Sequence, residues 1–181
     1  MSFYDSTAPD APRPAVHHAP VDERSFRDAL GCFATGVTII TTKGTTHPYG
    51  MTANAFSSVS LQPPLVLVCV MSGREGSRSI GANGVFAVNI LGAHQEDLSR
   101  YFARSERPRG PEGFADIPYH SDVTGSPILE GVAGYFDCHL VDAHHAGDHI
   151  IFIGQVLSLA TDPSVPPLLF YRGRYRTYMG D

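Results

Sequence analysis

Apolar and polar positions set the reading of this chain from Asp22 onwards. Phe26, Ala29, Leu30 and Phe33 recur at helical spacing, and Asp22 stands where an N-cap would. They predict a helix with those four residues on one face, ended by Gly36. VTIITT, Val37 to Thr42, is β-branched and reads as a strand. KGTTHPYG then predicts a turn, GMTANAFSSVS follows, and Pro63-Pro64 punctuates before the apolar strand LVLVCVM. Residues 73–84 read as a loop and a short helix, and Val85 to Leu91 as a strand. His94 to Ala103 reads as a helix with Leu98, Tyr101 and Phe102 inward. Residues 104–120, polar and broken by Pro and Gly, predict a surface loop. Gly134 to Asp142 and His149 to Ala160 read as strands joined by the turn AHHAGD, and Leu168 to Tyr178 closes the chain. Many strands with two or three short helices predict a mainly β, mainly antiparallel barrel. Residues 1–20 carry four prolines without periodicity and are expected to be a disordered tail, leaving 21–181 as one domain.

Composition narrows the class. A chain of 181 residues that is 43% hydrophobic and 17% charged suits one globular domain with its own core. The net charge is −5. That argues against general nucleic-acid binding, which rests on phosphate neutralisation. Lys43 is the one lysine; the other twelve cations are arginines, and a local cluster of them can hold a small phosphate ligand. Three cysteines without a CxxC fit a reduced, cytoplasmic compartment, and Cys69, inside an apolar run, reads as a core residue. The longest apolar run, Leu65 to Met71, is too short for a bilayer, and an N-terminal signal segment is not expected. GxG, a Walker lysine, GxSxG and HExxH are all missing. A nucleotide cofactor would therefore sit on something other than a doubly wound sheet.

Four stretches carry candidate chemistry, each with a plainer reading beside it. In GMTANAFSSVS, seven of eleven residues are small, so a flat ring could approach the backbone. Thr52, Asn54, Ser57, Ser58 and Ser60 offer hydroxyl and amide groups. It reads equally as a polar strand edge. SGREGSRS could hold phosphate through Ser77 and Ser79 with Arg78 and Arg74 near a helix start, or be a solvated charged surface. GDHIIFIGQV opens a strand on His149, which faces a ligand or simply solvent. His139, His144 and His145 lie near in sequence, but their spacing matches no metal motif, and no metal is expected. FYRGRYRTY can stack on a ring and neutralise phosphate, or form a half-buried C-terminal strand.

Taken in order, FATGVTIITT, GMTANAFSSVSLQPPLVLVCV, GVFAVNIL, GDHIIFIGQV and LLFYRGRY resemble the flavin reductase-like family, from about Ser25 to Tyr175. These are the reductase components of two-component flavin-dependent monooxygenases. The resemblance implies an FMN-binding split β-barrel, normally a homodimer. It implies hydride transfer from NADH or NADPH, with NADH favoured, to FAD or FMN. FAD is slightly favoured, because the arginines could accommodate a pyrophosphate. Diffusible reduced flavin would then pass to a separate monooxygenase. Thr52, Ala53 and Asn54 would contact the flavin ring; Ser57, Ser58, Ser60, Ser77, Arg78 and Ser79 look like ribityl and phosphate contacts. His149 is similar to the residue associated with NAD(P)H, and Tyr175 to the aromatic near the nicotinamide. Arginines here fill a region where many relatives carry Thr, Lys or Asn. Two alternatives stay open: a pyridoxamine-phosphate-oxidase-like FMN oxidase, and a non-catalytic flavin-binding electron carrier.

Overall fold

The computed structural model describes residues 20–44 and 47–178. The expected tail, apart from Pro20, lies outside the described residues, as does the His17-His18 pair. Three helices are present: α1 (Glu23–Leu30), α2 (Glu75–Asn83) and α3 (Glu96–Ala103). Twelve strands accompany them: β1 (Thr35–Gly36), β2 (Thr38–Thr42), β3 (Tyr49–Ala53), β4 (Phe56–Leu61), β5 (Pro64–Met71), β6 (Val85–Ile90), β7 (Tyr119–Ser121), β8 (Pro127–Leu129), β9 (Gly134–Ala146), β10 (His149–Thr161), β11 (Leu168–Tyr171) and β12 (Arg174–Thr177). Single 3-10 turns cover Ala93–Gln95 and Gly110–Phe114.

Seven strands form one antiparallel sheet in the order β3-β2-β6-β9-β10-β5-β4. Its two edges, β3 and β4, are consecutive in sequence and joined only by Asn54 and Ala55. Three Cα–Cα steps reach about 11 Å at most. A seven-stranded sheet whose edges lie that close must curl on itself. The edges do not pair with each other, so the curled sheet stays open along that seam, as in a split barrel. The link is pinned to β5 by the Cys69 amide, which donates to the Ala55 carbonyl at 3.0 Å.

Alternation then sorts the side chains. Along β5, Val66, Val68 and Val70 are buried and pack with Ile40, Phe86, Val88 and Phe152 inside the barrel. A second apolar cluster, with Ile39, Leu91, Phe102, Phe114 and Leu168, lies outside the barrel wall. All five residues of β2 are buried because its two faces meet different clusters, Ile40 one and Ile39 the other. Asn89, fully buried, ties the layers together. Its side chain accepts from the Leu129 amide at 2.8 Å and donates to the Ile39 carbonyl and the Thr41 hydroxyl, each at 3.1 Å.

Several expectations change. The first helix ends at Leu30 rather than at Gly36, which instead pairs with Leu169 in β1. Its apolar face lies open: Phe26 is 55% and Leu30 57% exposed, and Phe33 beyond it 77%. Among the described residues no other element packs over them. AHHAGD is mostly strand, leaving only Gly147 and Asp148 as the turn. Gly147 has φ +62° while Asp148 has negative φ, the arrangement of a II′ hairpin with glycine first. The closing segment is two strands, not one, folded about Arg172 and Gly173, both at positive φ. Cys69 points away from the barrel core; the buried thiol is Cys138, whose pKa burial pushes up to about 12.

Gly154, where β9 and β10 shift register, has no room for a side chain. A Cβ there would lie 2.5 Å from Phe86 Cζ and 2.9 Å from Cys138 Cβ. Gly154→Ala should therefore cost about 1–3 kcal/mol by overpacking, with Tm falling roughly 2–4 °C per kcal/mol. Gly81→Ala, in α2 with nothing within 4 Å of the added carbon, should be neutral or slightly stabilising. Thermal unfolding of the two variants side by side checks the contrast.

Candidate active site

Two close approaches shape a concavity beside β3. A Cβ on Gly76 would meet Met51 Sδ at 2.5 Å and Tyr49 Cε1 at 3.1 Å, so α2 lies tight against β3 at this point. A Cβ on Gly50 would meet Phe102 at 2.7 Å and Phe114 at 3.0 Å, so α3 and the following loop close on β3 as well. Between them and the ends of β5 and β10 lies a cavity of about 520 Å³. Met51, Cys69, Met71 and Phe102 give it apolar wall. Thr52, Ala53, Asn54 and Ala55 form one side, and His149 stands at another, placed by its pairing with Met71.

Of the residues singled out from the sequence, the fold gathers Thr52, Ala53, Asn54 and His149 around this cavity. The Thr52 hydroxyl is engaged: it donates to the Ser99 carbonyl at 2.6 Å and ties β3 to α3. The Asn54 amide donates to the Thr35 hydroxyl at 3.4 Å. His149 Nδ1 lies 2.7 Å from Asp148 Oδ1. That hydrogen bond from the ring holds the Asp148 carboxyl below the usual carboxylate range. An ionised carboxylate there keeps the shared proton on Nδ1 and leaves Nε2 to face a ligand.

The other predicted positions lie outside the cavity. Ser57, Ser58 and Ser60 are on β4, past the link. Ser57 donates to the Ser58 carbonyl at 3.1 Å, and Ser60 accepts from the Gln62 amide at 3.2 Å. On α2, buried Ser77 donates to the Arg74 carbonyl at 3.0 Å and Arg78 to the Gly73 carbonyl at 2.7 Å; Ser79 is half-buried. Tyr175 belongs to the outer apolar cluster. Its hydroxyl is 2.8 Å from Ser99 Oγ, the Arg100 guanidinium lies 4.7 Å over its ring, and Phe170 packs edge-on at 5.4 Å. Through Ser99 it is coupled to Thr52. Among the described residues no three His, Cys, Asp or Glu side chains come together as a metal site.

Sequence reasoning passed over the loop after α3. Arg104, Arg107 and Arg109 all line the cavity, with Arg74 across from them. Arg107 is held between rings, 5.2 Å from the Tyr49 centroid and 5.3 Å from Phe102, and donates to the Gly50 carbonyl. Its Nε is buried without an acceptor. Arg109 pairs with Glu75 at 3.1 Å. In an acidic chain, four arginines against one glutamate make this cavity locally cationic. The available signal was RSERPRG, three arginines within six positions of a Pro/Gly-rich loop directly after a helix. Apolar walls, a few amide and hydroxyl groups and surplus positive charge suit a flat aromatic ligand carrying phosphate.

Residues 30–179 match the family model described as flavin reductase like domain. The chain is 43% identical over 159 residues to the flavin-dependent monooxygenase reductase subunit HsaB of Mycobacterium tuberculosis, covering 87% of this chain and 83% of that protein. It is 38% identical to an NADH-dependent FAD reductase of Streptomyces globisporus, covering 93% and 92%. A solved structure of the Streptomyces globisporus NADH:FAD oxidoreductase SgcE6, in complex with NAD and FAD fragments, matches with TM-score 0.82 at 36% identity. That match covers 91% of this chain and 99% of the other.

Since the Thr52 hydroxyl is spent on the Ser99 carbonyl, Thr52→Val should cost about 1 kcal/mol of stability, the net worth of one hydrogen bond. Chemical denaturation of the variant without ligand measures it.

Proposed function

The chain belongs to the flavin reductase-like family, and on that premise we propose that it is an NADH-dependent flavin reductase serving a separate monooxygenase. The observation that carries this reading is the single cavity joining Thr52–Asn54, on the seam side, to His149 and four arginines. When bound there, FAD or FMN supplies the hydride-accepting chemistry and NADH the hydride; the protein contributes position and electrostatics. Thr52, Ala53 and Asn54 offer backbone and amide groups to the ring edge. Met51, Met71 and Phe102 exclude water from its faces. His149, fixed by Asp148, presents Nε2 to the nicotinamide side. Tyr175 acts through Ser99 on Thr52. Ser57, Ser58 and Ser60, with Ser77, Arg78 and Ser79, are the proposed contacts of whatever part of the flavin extends beyond this cavity. No nucleophile or general base is required, consistent with the lack of a hydrolytic motif.

The reading extends to assembly and location. The uncovered apolar residues of α1 and Phe33, with Leu61 at 90% exposure and Leu157 and Leu159 on β10, support a homodimer that covers them. Reduced flavin then diffuses from this protein to its monooxygenase. Three cysteines without a disulfide support a cytoplasmic setting. No helix among the described residues is long and apolar enough to cross a membrane.

NADH oxidation assayed with riboflavin, FMN and FAD in turn should show flavin-dependent turnover. Peroxide formed from a pyridoxal-type amine, with no NADH consumed, would point to an oxidase instead. His149→Ala should lower kcat/KM for NADH by about tenfold, roughly 1.4 kcal/mol of transition-state binding; an unchanged value removes His149 from the reaction. Analytical ultracentrifugation should report twice the 19.5 kDa chain mass.

A further inference from the structure

We infer that Arg107 and Arg109, on the loop after α3, recognise a nucleotide phosphate inside the cavity and set the preference for phosphorylated over unphosphorylated ligands. The inference rests on the reading of this cavity as a nucleotide site and adds residues that the resemblance does not assign.

The α2 side chains first expected at phosphate do not reach this cavity. Ser77 donates to the Arg74 carbonyl and Arg78 to the Gly73 carbonyl. Both stand outside the cavity. The loop arginines differ on each count. Arg107 lines the cavity and is positioned by two aromatic rings and the Gly50 carbonyl, so little side-chain freedom remains to be lost on binding. Its Nε–H is sealed from solvent with no acceptor, an unmet donor on a cation. Such a group is costly unless an acceptor arrives, and an anionic oxygen is the partner that best repays it. Arg109 lies two residues on and also lines the cavity. Its one ion-pair partner, Glu75, sits on the same cavity at 3.1 Å. Both side chains of that pair are partly exposed, at 66% and 31%, so the pair is weak and readily exchanged. A phosphate entering the cavity would take Arg109 from Glu75 and meet the guanidinium of Arg107 on the same wall. Glu75 thereby acts as a place-holder that disfavours the phosphate while keeping Arg109 at the mouth.

Two ligands of the proposed reaction carry phosphate, the flavin nucleotide and the nicotinamide nucleotide, and binding measurements separate them. Equilibrium affinities of the purified full chain are taken from flavin fluorescence for riboflavin, FMN and FAD. Calorimetry gives those for NAD and nicotinamide riboside. Arg109→Gln, at a mostly exposed position, and Arg107→Gln are each compared with the parent. The ratio of phosphorylated to unphosphorylated Kd should rise about tenfold, the equivalent of one lost charge-assisted hydrogen bond. Glu75→Gln should move the ratio several-fold the other way. A change confined to FMN and FAD assigns the phosphate to the flavin, and one confined to NAD assigns it to the nicotinamide nucleotide. Ratios that stay within about twofold for all three nucleotides in both arginine variants overturn the inference. In that case continued NADH-dependent flavin reduction by the parent protein would leave the proposed function standing. Absence of that reduction would overturn the function itself.

Discussion

Everything in this molecule depends on a short tether. Asn54 and Ala55 connect the two edge strands of a seven-stranded antiparallel sheet, and two residues cannot span more than about 11 Å. An open sheet of seven strands at roughly 4.8 Å spacing would hold those edges far apart. The tether therefore forces the sheet to curl into a barrel, while the lack of pairing between β3 and β4 keeps a seam open. The same two residues bring Thr52–Asn54 beside the ends of β5 and β10, where Cys69, Met71 and His149 sit. Barrel closure and site assembly are one event.

Around that seam the protein relies on close backbone approach more than on reactive groups. Gly76 and Gly50 let α2 and the α3 region press onto β3, and the remaining gap is the cavity. Its wall is soft and apolar, and burial keeps the Cys69 thiol protonated by raising its pKa. Its charge comes from arginines supplied by two loops rather than from the barrel. A cavity of this kind suits binding and orienting planar partners without attacking them, which is what hydride transfer between cofactors asks of a protein.

The rim of the site and the uncovered apolar surface belong to the same economy. Phe33, at 77% exposure, lies on a second groove that also includes Asn54, so uncovered apolar surface reaches the edge of the cavity. Among the described residues α1, Phe33 and Leu157 and Leu159 of β10 leave an exposed apolar surface. Nothing among the described residues answers the amphipathic spacing of α1.

The sequence by itself determined the strand-rich class, most strand positions and, through the order of separated motifs, the family. Period-two burial, β-branched runs and glycine turns are local signals, and they survive folding because backbone sterics and alternation act over a few residues. It also singled out Thr52, Ala53, Asn54 and His149, which the fold brings to one cavity. Tertiary structure alone decided what those residues do with their hydrogen bonds: Thr52 and Ser77 spend theirs on neighbouring backbone. It also split GMTANAFSSVS between opposite sheet edges and turned the closing segment into a hairpin. The fate of α1 was illegible because helical spacing shows that a face is apolar, not what covers it. Arg107 and Arg109 were illegible because a Pro/Gly-rich polar loop looks solvated until the fold carries it back over Tyr49, Phe102 and Glu75. Local pattern reports a residue's own backbone; which distant groups it meets is set by chain crossings such as the Asn54–Ala55 tether.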